Sequence, residues 1–201
     1  YAKYFRAWLL MSVKYFVYKV KKMERKVLVV IDMQNDFVDG ALGTKEAVSI
    51  VPFVVDKVKE LISDGYEVIF TKDTHDEEYL STQEGRKLPI KHCIKPSNGW
   101  ELIKELQDIQ SQYNLKVIEK PGFGSVELAE YLKAEDRQNP IKEVAFLGLC
   151  TDICVVCNAL LIKAALPESL LKVYSDCCAG VSPDAHKAAL QTMASCQVEI
   201  I

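Results

Sequence analysis

The chain has 201 residues, 49% of them apolar, with a net charge of −3 at neutral pH, which supports one compact domain with a core rather than two. So weakly acidic a chain sets up no large electropositive field of the kind that captures phosphate backbones, and no apolar run approaches the roughly 20 residues of a bilayer span, which argues against a nucleic-acid partner and a membrane-spanning helix. Seven cysteines, an odd number gathered in the middle and late chain, lack the even framework of a secreted disulfide domain and point to reduced thiols in a cytoplasmic protein.

Residues 1–26 carry eight Lys or Arg against one Glu, together with seven aromatic side chains. Such a stretch suits a membrane surface or a targeting role, but it lacks a clean apolar segment and a small-residue cleavage site. We read it as a basic, aromatic extension, with Met23 as a natural start and the domain at residues 27–201.

From residue 27 onward, short runs rich in Val and Ile alternate with longer segments of helical period, the pattern of an α/β domain whose parallel sheet is covered by helices. Strands are predicted at 27–32, 67–72, 116–119, 143–148, 171–175 and 198–201. Between them, helices are predicted at 47–63, 100–107, 125–134, 152–165 and 183–196, the last capped by Ser182 with Pro183 in its first turn. The result is a single-domain, three-layer α/β/α fold with a mainly parallel six-stranded sheet and right-handed crossovers. Residues 73–99 form a long polar connection, of a length that usually carries function.

Ligands of open parallel sheets bind beyond the carboxyl ends of the strands. Four such ends carry reactive groups: Asp32 after the first strand, Asp73 and His75 after the second, Lys120 after the third, and Thr151 to Cys154 after the fourth. Cys154 falls on a strand-to-helix turn, where a helix N-terminus favours a thiolate and its amides can hold an oxyanion. A cysteine by itself is more often a small buried hydrophobe; Asp32 as a base and Lys120 as a balancing cation change that reading. Asp73-x-His75 and His92 supply one oxygen and two nitrogen ligands from one loop, a set suited to a divalent ion, zinc first, with manganese or iron as alternatives.

The segments Asp32-Met-Gln-Asn-Asp-Phe37, Asp73-Thr-His75, Lys120 before Gly-Phe-Gly-Ser125, and Gly148-Leu-Cys-Thr-Asp-Ile-Cys154-Val resemble the isochorismatase-like cysteine hydrolase superfamily, and within it the nicotinamidases. The resemblance runs from about residue 27 to the end. It implies a catalytic triad of Asp32, Lys120 and Cys154, a cis peptide bond at Leu149–Cys150, and an oxyanion hole from the amides of Cys150 and Cys154. It further implies a metal on Asp73, His75 and His92, with Glu84 as a fourth ligand, and a substrate ring against Phe37 with Trp100 as a second wall. Ile153 departs from the polar or aromatic residue often found there in nicotinamidases, which bears on the substrate more than on the chemistry.

The activity implied is hydrolysis of a small-molecule amide, nicotinamide to nicotinate and ammonia, through a thioester on Cys154. Other small amides or ureido compounds are the alternative substrates, and the superfamily's habit of assembling through its helices leaves room for a homo-oligomer. A different class of reading is an iron–sulfur protein using Cys150, Cys154 and Cys157, whose spacing allows three thiolate ligands; another is an idle scaffold that keeps the fold. His186, on a predicted helix, is read as surface.

Overall fold

The computed structural model describes residues 24–201, so most of the expected basic extension lies outside the described residues. Strand β1 (Arg25–Ile31) is followed by a short helix α1 (Asn35–Val38), helix α2 (Lys45–Ser63) and β2 (Glu67–Asp73). The connection after β2 holds a 3-10 turn (Tyr79–Ser81) and α3 (Gln83–Lys87), and leads to α4 (Lys104–Tyr113) and β3 (Lys116–Lys120). Then come α5 (Val126–Gln138), β4 (Ile141–Leu149), a π turn (Thr151–Val155), α6 (Val156–Ala165), β5 (Leu170–Ala179), α7 (Pro183–Ser195) and β6 (Glu199–Ile200).

All six strands pair in parallel in the order β3-β2-β1-β4-β5-β6. Right-handed crossovers place α2 and α4 on one face and α5, α6 and α7 on the other, where α5 packs on α6 and α6 on α7. A strand covered on both faces has no polar side, which explains why Val27 through Ile31 are all fully buried. The sheet order reverses between β1 and β4, so a crevice opens beyond their carboxyl ends. Gly148 borders that crevice in the left-handed region at φ 119°, and a Cβ there would sit 2.1 Å from the Ile31 carbonyl oxygen. Only glycine lets the two central strands approach so closely.

Local signals explain the helix starts. The Thr44 hydroxyl accepts from the Ala47 amide at 3.0 Å, Ser125 from Leu128 at 3.1 Å and Ser182 from Ala185 at 3.2 Å, each satisfying one orphan donor of a first turn. The helix predicted at 100–107 is a correction: α4 begins at Lys104. The backbone before it is already engaged, since the Trp100 carbonyl accepts from Gln34 Nε2 at 2.8 Å and the Ile103 amide donates to Met33 at 3.0 Å. The helix predicted at 152–165 also divides, into the π turn and α6. No helix among the described residues is long and apolar enough to cross a membrane.

Candidate active site

Asp32 ends β1 fully buried, with a left-handed φ of 46° that turns the chain out of the sheet. Its orientation is fixed by Thr71, whose hydroxyl donates to Asp32 Oδ1 at 2.6 Å and accepts from the Asp32 amide at 3.2 Å. The other oxygen, Oδ2, lies 2.7 Å from Lys120 Nζ. The ammonium also reaches Asp73 Oδ1 (3.2 Å), the Gly122 carbonyl (3.0 Å) and Cys154 Sγ (3.4 Å). Oδ2 is thus held against the Lys120 charge and next to the Cys154 thiol.

Burial disfavours each charge in this cluster, and the neighbours decide the outcome. Burial raises the Asp32 carboxyl, Lys120 opposes the rise and Asp73 adds to it. Burial pulls the Lys120 ammonium down, yet Asp32, Cys154 and Asp73 together lift it above the ordinary lysine range. The Cys154 thiol is raised well above its usual value by burial and by Asp32, against the pull of Lys120. Cys154 sits inside the π turn, buried beside a carboxylate, where burial and Asp32 hold its proton more tightly than in a free thiol.

The turn that carries Cys154 follows a cis peptide bond at Leu149–Cys150. The Ile153 and Val155 amides both donate to the Cys150 carbonyl, at 3.1 and 3.0 Å. Asn158, fully buried on α6, donates from Nδ2 to the Cys154 carbonyl at 2.8 Å and to the Phe123 carbonyl at 3.0 Å, while its Oδ1 accepts from the Ser125 amide at 2.9 Å. One amide side chain therefore joins the Cys154 turn to the loop after Lys120.

A second cluster adjoins the first through Asp73. Its Oδ2 lies 3.1 Å from His75 Nε2 and 3.6 Å from His92 Nε2, and Glu84 Oε1 lies 3.8 and 3.9 Å from the same two nitrogens. One ligand atom from each of these four residues falls within 4.8 Å of the others. His92 donates from Nδ1 to the Ile90 carbonyl at 2.9 Å, which turns its bare Nε2 toward the cluster, as an outer hydrogen bond does for a ligating imidazole. Burial opposes ionisation of Asp73, but the two histidines and Lys120 hold its carboxyl well below the usual range. Two imidazoles and two carboxylates form a donor set that fits a divalent ion of the zinc, manganese or iron type.

Several further residues hold these groups in place. Tyr79, fully buried, packs its ring 4.6 Å from His75 and 4.9 Å from His92, and its hydroxyl donates to the Leu88 carbonyl at 3.0 Å. Gln34 accepts from the Asp73 amide at 2.7 Å and donates to its carbonyl at 2.9 Å, completing the end of β2 as a neighbouring strand would. Asp36 accepts from the Cys93 amide at 2.7 Å and holds the far end of the loop that carries His75 and His92.

Above Cys154 opens a cavity of about 300 Å³ lined by Phe37, His92, Phe123, Ile153 and Val181 among others. Phe37 faces it and packs 5.5 Å from the His92 ring. Cys150 lines it too, its thiol pushed up to about 12 by burial first and the nearby carboxylates second. Trp100 is a correction: it stands outside the cavity lining, stacked under Lys72 Nζ at 3.0 Å and donating from Nε1 to Thr74 at 2.9 Å. Its cation stack and hydrogen bond tie it to Lys72 and Thr74. His186 is half-buried rather than surface, with Nδ1 2.8 Å from the Thr151 hydroxyl. The iron–sulfur reading finds no support, since Asp73, His75, Glu84 and His92 are the one grouping of three or more candidate metal ligands among the described residues, and Cys157 is exposed on α6.

Comparison with known proteins gives a consistent picture. Residues 26–201 match the Isochorismatase domain family. An isochorismatase family protein, PncA, of Bacillus subtilis (strain 168) is 30% identical over 178 residues, covering 85% of this chain and 95% of its own. The crystal structure of the nicotinamidase/pyrazinamidase PncA from Bacillus subtilis superposes with a TM-score of 0.78 at 28% identity, over 88% of this chain and 98% of that one. The pyrazinamidase of Pyrococcus horikoshii in complex with zinc superposes with a TM-score of 0.72 at 26% identity, again over 88% and 98%.

Proposed function

The chain belongs to the isochorismatase family, and on that premise we propose that it is a cysteine-dependent amidohydrolase that converts nicotinamide to nicotinate and ammonia. One observation carries the reading: a fully buried Lys120 ammonium touches both the Asp32 carboxylate, at 2.7 Å, and the Cys154 sulfur, at 3.4 Å, beneath a cavity of ring-amide dimensions.

The chemistry follows from the charges the cluster brings together. Asp32 Oδ2 accepts the thiol proton as the Cys154 sulfur attacks the amide carbon, so that no free thiolate need persist in the apolar site. Lys120 keeps the total charge of sulfur and carboxylates from becoming untenable at that moment. The amides of Cys150 and Cys154 receive the oxyanion of the tetrahedral intermediate. Protonated Asp32, its affinity for the proton raised by burial, passes it to the departing nitrogen; the C–N bond breaks, ammonia leaves and a thioester remains. Asp32 then takes a proton from water as its oxygen attacks the thioester, the C–S bond breaks, and the proton returns to sulfur as the acid departs.

Asp73, His75, Glu84 and His92 would hold a divalent cation beside this centre. When bound, it supplies a Lewis acid for the substrate's ring nitrogen. Phe37 offers its face to the ring, and the shared carboxylate of Asp73 ties the position of the cation loop to that of Lys120. Other small neutral amides fit the same steps.

The test is ammonia release from a panel of small amides by the native protein and by Cys154→Ala, before and after chelation. Activity on nicotinamide that disappears with alanine supports the proposal. Full activity in Cys154→Ala would remove the mechanism, and activity on other amides alone would move the substrate.

A further inference from the structure

The cavity above Cys154 is strongly one-sided in its chemistry. Its charged lining residues are Asp73, Glu84 and His92, all of which belong to the cation cluster, and no Lys or Arg among the described residues lines it. Lys120, directly below, has its hydrogen bonds committed to Asp73, Gly122 and Cys154 and lies against Asp32. A carboxylate directed at the lip, away from the cation cluster, would therefore meet apolar wall and no Lys or Arg of the described residues, which makes its desolvation costly.

The outer wall is apolar, and two of its members stand open at the lip. Phe123 is 46% exposed and Val181 56% exposed, and Leu42, Leu88 and Ile153 line the same cavity. Both lip residues are anchored from the nucleophile's own turn and helix. Asn158 holds the Phe123 carbonyl at 3.0 Å and the Cys154 carbonyl at 2.8 Å; Asp152 Oδ1 accepts from the Val181 amide at 3.0 Å. A Cβ on neighbouring Gly180 would lie 2.7 Å from that same Asp152 oxygen, so the Val181 segment is pressed against the turn. The lip is thus set in register with the sulfur before any ligand arrives, at little ordering cost on binding.

From the apolar outer wall and the two anchored, half-open apolar residues at its lip, we infer that the preferred substrate is a neutral ring amide bearing an apolar substituent, held between Phe123 and Val181. This rests on the amidase reading and narrows its substrate class. The unsubstituted ring amide occupies the depth beside Phe37 and Cys154, and the substituent covers the lip. Burying each added CH2 there corresponds to about a fourfold gain in kcat/KM, from ~0.8 kcal/mol per buried methylene.

The experiment compares nicotinamide with its methyl, ethyl and propyl derivatives at each free ring carbon, and with the matching ring carboxylates, in native protein, Phe123→Ala and Val181→Ala. At one ring position, kcat/KM should rise by about fourfold per methylene; the carboxylates should fall at least about tenfold below nicotinamide, and the alkyl-to-parent ratio should shrink toward one in both variants. Binding of the same series to Cys154→Ala, read by calorimetry, should show the same gradient without turnover. A flat alkyl series in both assays, carboxylates accepted as well as alkyl amides, or a gradient untouched by both lip variants would overturn the inference. An affinity gradient with no ammonia release from any amide would instead defeat the amidase reading and leave the apolar lip standing.

Discussion

Replacing Lys120 with methionine removes one buried cation from between two buried carboxylates while keeping the side chain's length and most of its volume. The cavity contribution is accordingly small. The loss is electrostatic: Asp32, at 0% exposure, is left with Thr71 as its only partner, and Asp73 loses its 3.2 Å contact. Breaking a buried pair by deleting one member costs roughly 3–5 kcal/mol, a large share of a typical folding free energy. The loss also depends on pH. Burial already raises the Asp32 carboxyl and Lys120 is what restrains it, so without Lys120 the folded state holds the Asp32 proton more tightly still. A raised carboxyl contributes stability that is complete below its unfolded pKa and is lost as pH rises through the folded one. Lys120→Met should therefore be destabilised more at pH 8 than at pH 5 relative to the native chain. Urea unfolding at both pH values, in chelator, measures it, and Asp32→Asn combined with Lys120→Met should recover part of the loss in a double-mutant cycle. A destabilisation below about 1 kcal/mol at pH 8, or one equal at both pH values, would refute the reasoning, since an unpaired buried carboxylate could not then be imposing a cost of the expected size.

Three further outcomes follow from the same geometry. Because burial and Asp32 raise the Cys154 thiol, its alkylation by iodoacetamide at pH 7 should be slow and should climb steadily to pH 9, with peptide mapping as the readout; a plateau below pH 7 would mean a preformed thiolate. Gly148→Ala places a Cβ 2.1 Å from the Ile31 carbonyl oxygen at φ 119° and should cost about 3 kcal/mol, at the upper end for a strained backbone position, measured by thermal or urea unfolding. Reconstituted with zinc and desalted, the native chain should retain about one ion, as the four-residue donor set of the zinc-binding type requires; His75→Ala and His92→Ala should each lose it by atomic emission.

The chemistry-bearing residues were legible because they sit where the alternating pattern of an α/β chain puts function. Asp32, Asp73, Lys120 and Cys154 each close or follow a Val- and Ile-rich run, and parallel strands bring such ends to one edge. The residues that fix their orientation were not legible. Thr71 lies inside Glu-Val-Ile-Phe-Thr-Lys-Asp, where a β-branched residue reads as ordinary strand core, and nothing local marks its hydroxyl as the partner of a carboxylate 39 positions earlier. Tyr79 reads as a loop aromatic, yet it packs against both histidines. Trp100 and the start of α4 were misplaced for one shared reason: Gln34, buried and remote in sequence, takes up the backbone that would otherwise begin the helix. Long-range side-chain to backbone bonds override local propensity and leave no periodic trace.

Acid-quenching the native protein during turnover of nicotinamide and measuring the mass of the Cys154 peptide tests the central claim most directly. The account predicts an acyl adduct on Cys154 that disappears on longer incubation and is absent from Cys154→Ala, which releases no ammonia. Steady ammonia release from Cys154→Ala, with no adduct on the native sulfur at any time, would contradict it.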